Sequence, residues 1–379
     1  MAQAVSKQRL DSLDALRGFD LFVLVALGPL VQAFVNAAGS DEYQGLRDVF
    51  THVSWEGFAP WDLVMPLFVF MAGASIPFAL ARYRGGANRG SFVWRLLRRV
   101  VLLWLLGMVV QGNLLSLDPS RFYLYTNTLQ AIAAGYLIAA LLFVNTRIVT
   151  QIVVALVLLL GYWAVMEWVS VDGYGGGNYS PEANLAEWMD RTVLGRFRDG
   201  ASVAADGTVV FSPYYHYTWI LSTMTFGVTA MTGVFAGAIA RASWSGLQRV
   251  LAYFGIGVAM LVVGWLWSSE MPIIKTIWTS SMVLYSSGWC FLLMALFYLI
   301  FDVCHLKIGL DFLRTYGMNS IVAYVISQVV NFRGVAHSVL YGLQQYVGDY
   351  YGLILKFCEV SIVFFILWLM YKRGVFVKV

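Results

Sequence analysis

Residues 52–73 read HVSWEGFAPWDLVMPLFVFMAG, and after Asp62 no charged side chain appears until Arg82. An apolar run of about 20 residues is what a helix needs to cross a bilayer core. The run 63–81 therefore reads as a membrane-spanning helix. A charge carried to mid-bilayer costs about 2.5–3.5 kcal/mol even on a permissive insertion scale. His52, Glu56 and Asp62 stand just outside that zone, and their presence at its mouth asks for a purpose.

The rest of the chain repeats the pattern. Apolar runs fall at 20–38, 92–114, 126–144, 148–168, 219–240, 249–267, 277–301, 315–331 and 354–371. Composition agrees, with 60% hydrophobic and 12% charged residues and a mean hydropathy of +0.71, against about 25% charged residues in soluble domains. The expected fold is all-α: one polytopic membrane helix bundle over residues 1–379, with ten spans, or eleven if 334–347 crosses rather than lying at the interface. The opening segment MAQAVSKQRLDSLDALRGFD is polar and lacks the layout of a cleaved signal peptide.

The net charge of +4 comes from basic residues gathered between spans, a distribution set by insertion topology and not by nucleic acid. With Lys7, Arg9, Arg17, Arg82, Arg84, Arg89, Arg95, Arg98, Arg99, Arg147, Arg241, Arg249, Lys307, Arg314, Lys372, Arg373 and Lys378 inside, both termini are cytoplasmic. Loop 169–218 and the His52 loop are then external. The loop's GYGGGN neither follows a strand nor opens a helix as a phosphate cradle does; a short helix is expected near 182–194. Cys290, Cys304 and Cys358 lack the paired spacing of a disulfide framework or a zinc site, so no metal is expected.

Imidazoles exchange protons near neutral pH, and a neighbouring carboxylate fixes the tautomer. His52 with Asp62 or Glu56 is thus a reactive pair on paper. The plainer alternative is an interfacial histidine, with Trp55 and Trp61 as aromatic-belt anchors. His216, His305 and His337 have no close acidic company and read as structural. Arg17 can pair with Asp14 at helical spacing or hold a phosphate. Arg95, Arg98 and Arg99 in the basic loop can do the same for an anionic cofactor. Asn127, Gln130, Lys275 and Asn319 stand at or near membrane depth, where polar groups face a bundle interior or a wet cavity.

SLDALRGFD (12–20), HVSWEGFAPWDLVMPLFVFMAGASI (52–76), LQAIAAGYLIAALL (129–142), IWTSS from 277 and GMNSIVAYV (317–325) run in order along nearly the whole chain. Together they resemble the heparan-alpha-glucosaminide N-acetyltransferase family, and most of all its bacterial members, grouped as DUF5009. The resemblance implies a membrane acetyltransferase of a bacterial inner membrane. Such an enzyme carries acetyl from cytoplasmic acetyl-CoA to an amino sugar or envelope glycan outside, and the resemblance suggests a homodimer. In that family the histidine of the H-x-S-W-x-G block is the proposed catalytic residue, here His52, with Asp62 or Glu56 to orient it. By the same analogy Asn319 lines the membrane-embedded site. Arg17, Arg95, Arg98, Arg99, Asn127, Gln130 and Asn319 are the expected contacts to the cofactor, and Trp55, Lys275 and Trp278 those to the acceptor. Where the lysosomal members carry a His-Glu pair after the GMNSI block, this chain has Ser327 and Gln328. From the residues alone, a carrier using His52, Asp62 and Lys275 as a proton or solute relay stays open, as does an inactive scaffold of the same fold.

Overall fold

The computed structural model describes residues 10–39, 43–86 and 88–377; Lys7, Arg9 and Lys378, assigned above to the inner side, lie outside them. The helices run in order: α1 Asp11–Phe22, α2 Gly28–Ala38, α3 Gln44–Val49, α4 Val64–Ala74, α5 Ile76–Leu80, α6 Arg89–Val110, α7 Thr128–Asn145, α8 Ile148–Trp168, α9 Leu185–Leu194, α10 Thr223–Arg241, α11 Gly246–Trp267, α12 Ser280–Tyr298, α13 Leu310–Met318, α14 Ser320–Val329, α15 Phe332–Leu340, α16 Gln344–Val347 and α17 Tyr351–Lys372. Two short antiparallel hairpins, Ser170–Val171 with Tyr174–Gly175 and Ala201–Val203 with Val209–Phe211, are the β-structure of the described residues. The fold is an all-α polytopic membrane bundle. Among the described residues eight helical stretches are long and apolar enough to cross a bilayer.

Two of the expected spans differ in kind. Helix α6 has the length but carries Arg89, Arg95, Arg98 and Arg99 in its first three turns. Residues 315–331 form no continuous helix, because the chain breaks at Asn319 (φ −123°, ψ 38°) and leaves α14 only 10 residues long. The segment expected at 334–347 supplies α15, whose Ala336 packs on Tyr351 and Leu355 of α17.

By its contacts the chain divides into two units, one of residues 1–47, 243–256 and 291–378, the other of 48–242 and 257–290. In the first unit α1 crosses α13 with no room for side chains. A Cβ on Gly18 would stand 1.8 Å from the Leu313 carbonyl oxygen, and one on Gly317 2.3 Å from that of Asp14. The LRG and GMN blocks are thus the two halves of one helix crossing. That crossing explains why α1 begins at Asp11, well before the apolar run at 20–38. The Asp302 carboxylate accepts the Asp11 and Ser12 N–H groups at 3.3 and 3.0 Å, and an acid suits the positive end of a helix. Asp11 also pairs with Arg314. Hydropathy alone misses a polar first turn whose charges are met by neighbouring segments.

In the second unit α10 lies between α4 and α7. Its Gly233 and Gly237, a G-x-x-x-G pair, meet the carbonyls of Phe70 and Ala74, while Gly73 of α4 meets that of Ala230; added Cβ atoms would fall at 1.9, 2.4 and 1.8 Å. Lipid tails give apolar helices no reason to associate, so close backbone approach through small residues supplies the attraction. One apolar cluster, including Tyr162, Met166, Tyr179, Leu185, Leu221, Met271, Ile274 and Ile277, clamps the irregular segment between α11 and α12. That segment carries Lys275.

Candidate active site

The mouth of α4 is built by Asp62. Pro60 fixes the backbone of a tight 3-10 turn, Pro60–Leu63, that leads into the helix. From its third residue the carboxylate looks back: Oδ2 accepts the Ala59 N–H at 3.0 Å, and the Asp62 N–H donates to the Ala59 carbonyl at 2.9 Å. The other oxygen, Oδ1, lies 2.7 Å from His52 Nδ1. Asp62 is 1% exposed, whereas the His52 side chain is 46% exposed, so the ring bridges a buried anion and the outside.

Lys275 arrives from the far end of the sequence. Its Nζ lies 3.1 Å from His52 Nδ1, 223 positions away along the chain, and 3.4 Å from Asp62 Oδ1. The segment that presents it is held on every side. Gly57 N–H donates to the Ile273 carbonyl at 2.8 Å beside a bridge from Glu56 to Ile274, and Thr218 N–H donates to the Thr276 carbonyl at 3.1 Å. Ser222 donates to the Ile277 carbonyl at 3.1 Å, and Tyr162 donates to the same oxygen. Trp278, at φ +52°, buries its indole and donates from Nε1 to Thr229 at 3.1 Å. Burial pushes the Lys275 ammonium down to about 8, with Asp62 offsetting part of that fall.

Proton bookkeeping fixes the roles. An ammonium only donates, and Nδ1 either donates or accepts. With Asp62 ionised, the consistent arrangement has Nδ1–H donating to Asp62 and Lys275 directing a proton at the same carboxylate. Nε2 then carries the lone pair, on a side chain that is half exposed, with no protein hydrogen-bond partner among the described residues. This is the tautomer a base or nucleophile needs.

Of the expected site residues, His52, Asp62 and Lys275 come together. Glu56 stands exposed and enters through its backbone bridge, without a side-chain hydrogen bond to the cluster. Trp55 donates from Nε1 to the Tyr179 carbonyl at 2.9 Å and meets the His216 ring edge to face at 5.8 Å. Trp278 is core. Asn127 and Gln130 form a capping box at α7: Gln130 Oε1 accepts the N–H groups of Thr126 and Asn127 at 2.8 and 3.1 Å, and Asn127 Oδ1 accepts that of Leu129 at 2.8 Å. The pattern Asn-x-x-Gln ahead of an apolar run is a signature of that box, legible in TNTLQ. On α6, Arg95 and Arg98 are exposed and Arg99 stacks over the Tyr136 ring at 4.0 Å. In the first unit Arg17 lies 4.0 Å from the Asp14 carboxylate. Asn319 there binds the carbonyl of Val375 and the N–H of Val377, both at 3.0 Å.

Behind the site, sequence reading passes over a buried network. Arg198, fully buried, pairs with Glu187, which also accepts from Arg191 at 2.7 Å. Asp190 accepts the N–H groups of Trp219 and Ile220 at 2.8 and 2.9 Å, and burial raises its carboxyl to about 7. These bonds join α9 to the approach to α10. Among the described residues no cluster of three or more His, Cys, Asp or Glu side chains is arranged to hold a metal ion.

No family model matches the chain, and the DUF5009 grouping rests on the sequence resemblance alone. Human (Homo sapiens) heparan-alpha-glucosaminide N-acetyltransferase is 27% identical over 370 residues, covering 85% of this chain and 53% of that protein. The mouse (Mus musculus) protein of the same name is 25% identical over 371 residues, covering 86% and 54%. The chain spans about half the length of these curated relatives. The two matches support a relationship, at the level of the family, between this chain and heparan-alpha-glucosaminide N-acetyltransferase.

Proposed function

We propose that the chain is a membrane acetyltransferase that moves acetyl from acetyl-CoA to an amine of a sugar or envelope glycan, with His52 as the reacting residue. The observation that carries this reading is the contact of His52 Nδ1 with the buried Asp62 carboxylate at 2.7 Å, beside Lys275. The activity for which the human and mouse relatives are named agrees with it. The α6 arginines Arg95, Arg98 and Arg99 are the proposed contacts to the nucleotide phosphates on the inner side. The His52 loop is the proposed external face.

In this reading the acceptor nitrogen attacks the thioester carbonyl carbon. A C–N bond forms, the amine proton passes to His52 Nε2, and the C–S bond breaks. The departing thiolate then takes the proton back from Nε2. If Nε2 attacks first, its bond to the acetyl carbon forms as the C–S bond breaks and the thiolate departs; the amine then attacks that carbon, the Nε2–C bond breaks, and the amine's proton goes to the thiolate, so the same lone pair serves both routes. Asp62 steadies the imidazolium. Lys275, 3.1 Å away and cationic at neutral pH, opposes it, because a like charge disfavours the charged form.

His52→Ala tests the reading. In purified protein with acetyl-CoA and glucosamine, the variant should release no CoA above background while keeping its melting temperature, since the side chain is half exposed. An active variant ends the assignment. Titration with CoA should raise the melting temperature of both proteins, because a ligand that binds only the folded state stabilises it. Flux of a solute in proteoliposomes with no response to CoA would favour a carrier instead.

A further inference from the structure

The loop between α6 and α7 folds against the turn that follows α9 and forms a cavity of about 340 Å³. Backbone bonds hold the two segments there: Tyr123 N–H donates to the Gly112 carbonyl at 3.1 Å and Leu124 N–H to that of Phe197 at 3.0 Å. The walls are apolar, from Leu114, Leu117, Phe122 and Phe197, and the two phenyl rings meet edge to face at 6.2 Å. Two polar side chains line it unspent. The Asn113 amide and the Arg196 guanidinium have no protein hydrogen bond or ion pair among the described residues, and Arg196 stands over the Phe197 ring at 4.5 Å. Asp118, the acid of the lining, is met by Ser120 at 2.9 and 2.7 Å and lies 3.8 Å from Arg121. The cavity therefore keeps one unbalanced positive charge. Asn113 follows the end of α6 by three residues, and Phe122 precedes α7, one of the spans, by six. Leu115 and Leu117 beside it are 61% and 88% exposed, and the Leu117 backbone is left-handed (φ 53°), which disfavours a residue with a side chain. Leucines held out at the mouth of a span are costly in water and at home in acyl chains.

We propose that this cavity holds an anionic phospholipid of the bilayer, its phosphate on Arg196, a headgroup hydroxyl on Asn113, and the upper part of one acyl chain along Leu114, Leu117 and the two phenyl rings. An apolar cavity with a few convergent polar groups is the common form of a ligand site. Arginine meets a phosphate with two parallel N–H···O bonds, and the Phe197 face holds the guanidinium in place for them. Charge selects the headgroup, because one unbalanced positive charge suits a phosphate ester without an ammonium. Phosphatidylglycerol has that chemistry. No bond is made or broken there, and the site stands whatever reaction His52 performs.

Native mass spectrometry of the delipidated full chain in detergent tests it, by titration with dioleoylphosphatidylglycerol, dioleoylphosphatidylethanolamine and glycerol phosphate, reading the Kd of the first molecule bound. Phosphatidylglycerol should bind at least about fivefold tighter than phosphatidylethanolamine, the worth of one basic residue near an anionic lipid. Arg196→Gln should weaken phosphatidylglycerol about 10–100-fold, the range for a hydrogen bond to a charged group. Arg333→Gln, at an exposed arginine elsewhere in the chain, should weaken it no more than about fivefold. Leu117→Asn, which suits the left-handed backbone, should weaken it about three- to tenfold by removing part of the apolar wall. Arg196 and Leu117 are exposed, so both variants should melt with the parent. Equal losses in Arg196→Gln and Arg333→Gln overturn the site, leaving only general attraction between basic residues and anionic lipid. Equal affinity for phosphatidylethanolamine, glycerol phosphate binding as tightly as the lipid, or no loss in Leu117→Asn overturns it as well.

Discussion

Helices α4 and α7 begin alike and use the result differently. In each, the third residue of the opening turn, Pro60–Leu63 ahead of α4 and the first turn of α7, reaches back to the N–H before it: Asp62 to Ala59, and Gln130 to Thr126 and Asn127. Gln130 then spends its amide nitrogen on the Leu124 carbonyl at 2.7 Å, so both of its ends go to backbone. Asp62 carries a charge, and only one oxygen is spent on backbone; the other meets His52 and Lys275. A polar residue at a helix mouth is therefore structural by default. It becomes chemical when an atom left over from capping faces a group that can move a proton.

The largest effect expected is at that leftover oxygen. Asp62→Asn keeps the shape and the bond to Ala59, but its amide can favour the wrong imidazole tautomer. Turnover should fall about 10³–10⁴-fold, the scale for such a change in a His–carboxylate pair, or about 4–5.5 kcal/mol of barrier. The variant also strands a buried ammonium, a loss of about 3–5 kcal/mol in general. Asp62→Asn with Lys275→Met should recover much of the melting temperature and none of the activity. Recovery of turnover in the double variant would break the contrast between the two helix mouths.

The next effect is a pH dependence. Lys275 titrates near 8 when folded, against 10.5 for an unperturbed lysine. Between those values the unfolded chain holds more protons than the folded one, so stability rises with pH. Relative to Lys275→Met, the parent should gain on the order of 2–3 kcal/mol from pH 8 to 10.5, read from denaturation midpoints of the two proteins in one detergent. A flat difference would mean that the ammonium is better solvated than its burial implies.

How far the sequence reaches follows from the same contrast. Apolar runs reveal spans because a bilayer penalises every charge within them, and Ile148–Trp168 falls where 148–168 is read. The His52–Asp62 partnership is within reach because ten positions separate the pair, although Glu56, four away, competes on paper. Sequence joins Lys275 to His52 and Asp62 only as the members of a relay a carrier would use; the contact itself follows from the packing of Ile274 and Ile277 against α8 and the loop. The capping box is legible in TNTLQ, whereas depth in the membrane fits helix-to-helix hydrogen bonding and a functional role for these amides equally well. The polar start of α1 was hidden for the opposite reason: its partners, Asp302 and Arg314, lie far along the chain.

At α7 a smaller, purely structural effect is expected. Gln130→Ala frees the N–H groups of Thr126 and Asn127 in a buried turn, and leaving such donors unmet costs about 1–3 kcal/mol. The melting temperature should drop accordingly while kcat per folded molecule holds. If acetyl-CoA affinity fell instead, at constant stability, the amide would be a cofactor contact after all.

Glu56 gives the smallest effect and the sharpest form of the contrast. It stands closer to His52 in sequence than Asp62 does, and both are carboxylates near the same ring. Their backbones separate them. Glu56 lies in an extended segment bridged to Ile274, with its side chain exposed, whereas the turn at Pro60 points Asp62 inward. An exposed carboxylate acts on a neighbour only through water, which screens it strongly. Glu56→Gln should therefore change stability by less than about 0.5 kcal/mol, the usual range for surface substitutions, and leave kcat within a factor of about two. A loss near that of Asp62→Asn would show that the two carboxylates exchange places during turnover, and that the helix mouth is less fixed than its hydrogen bonds imply.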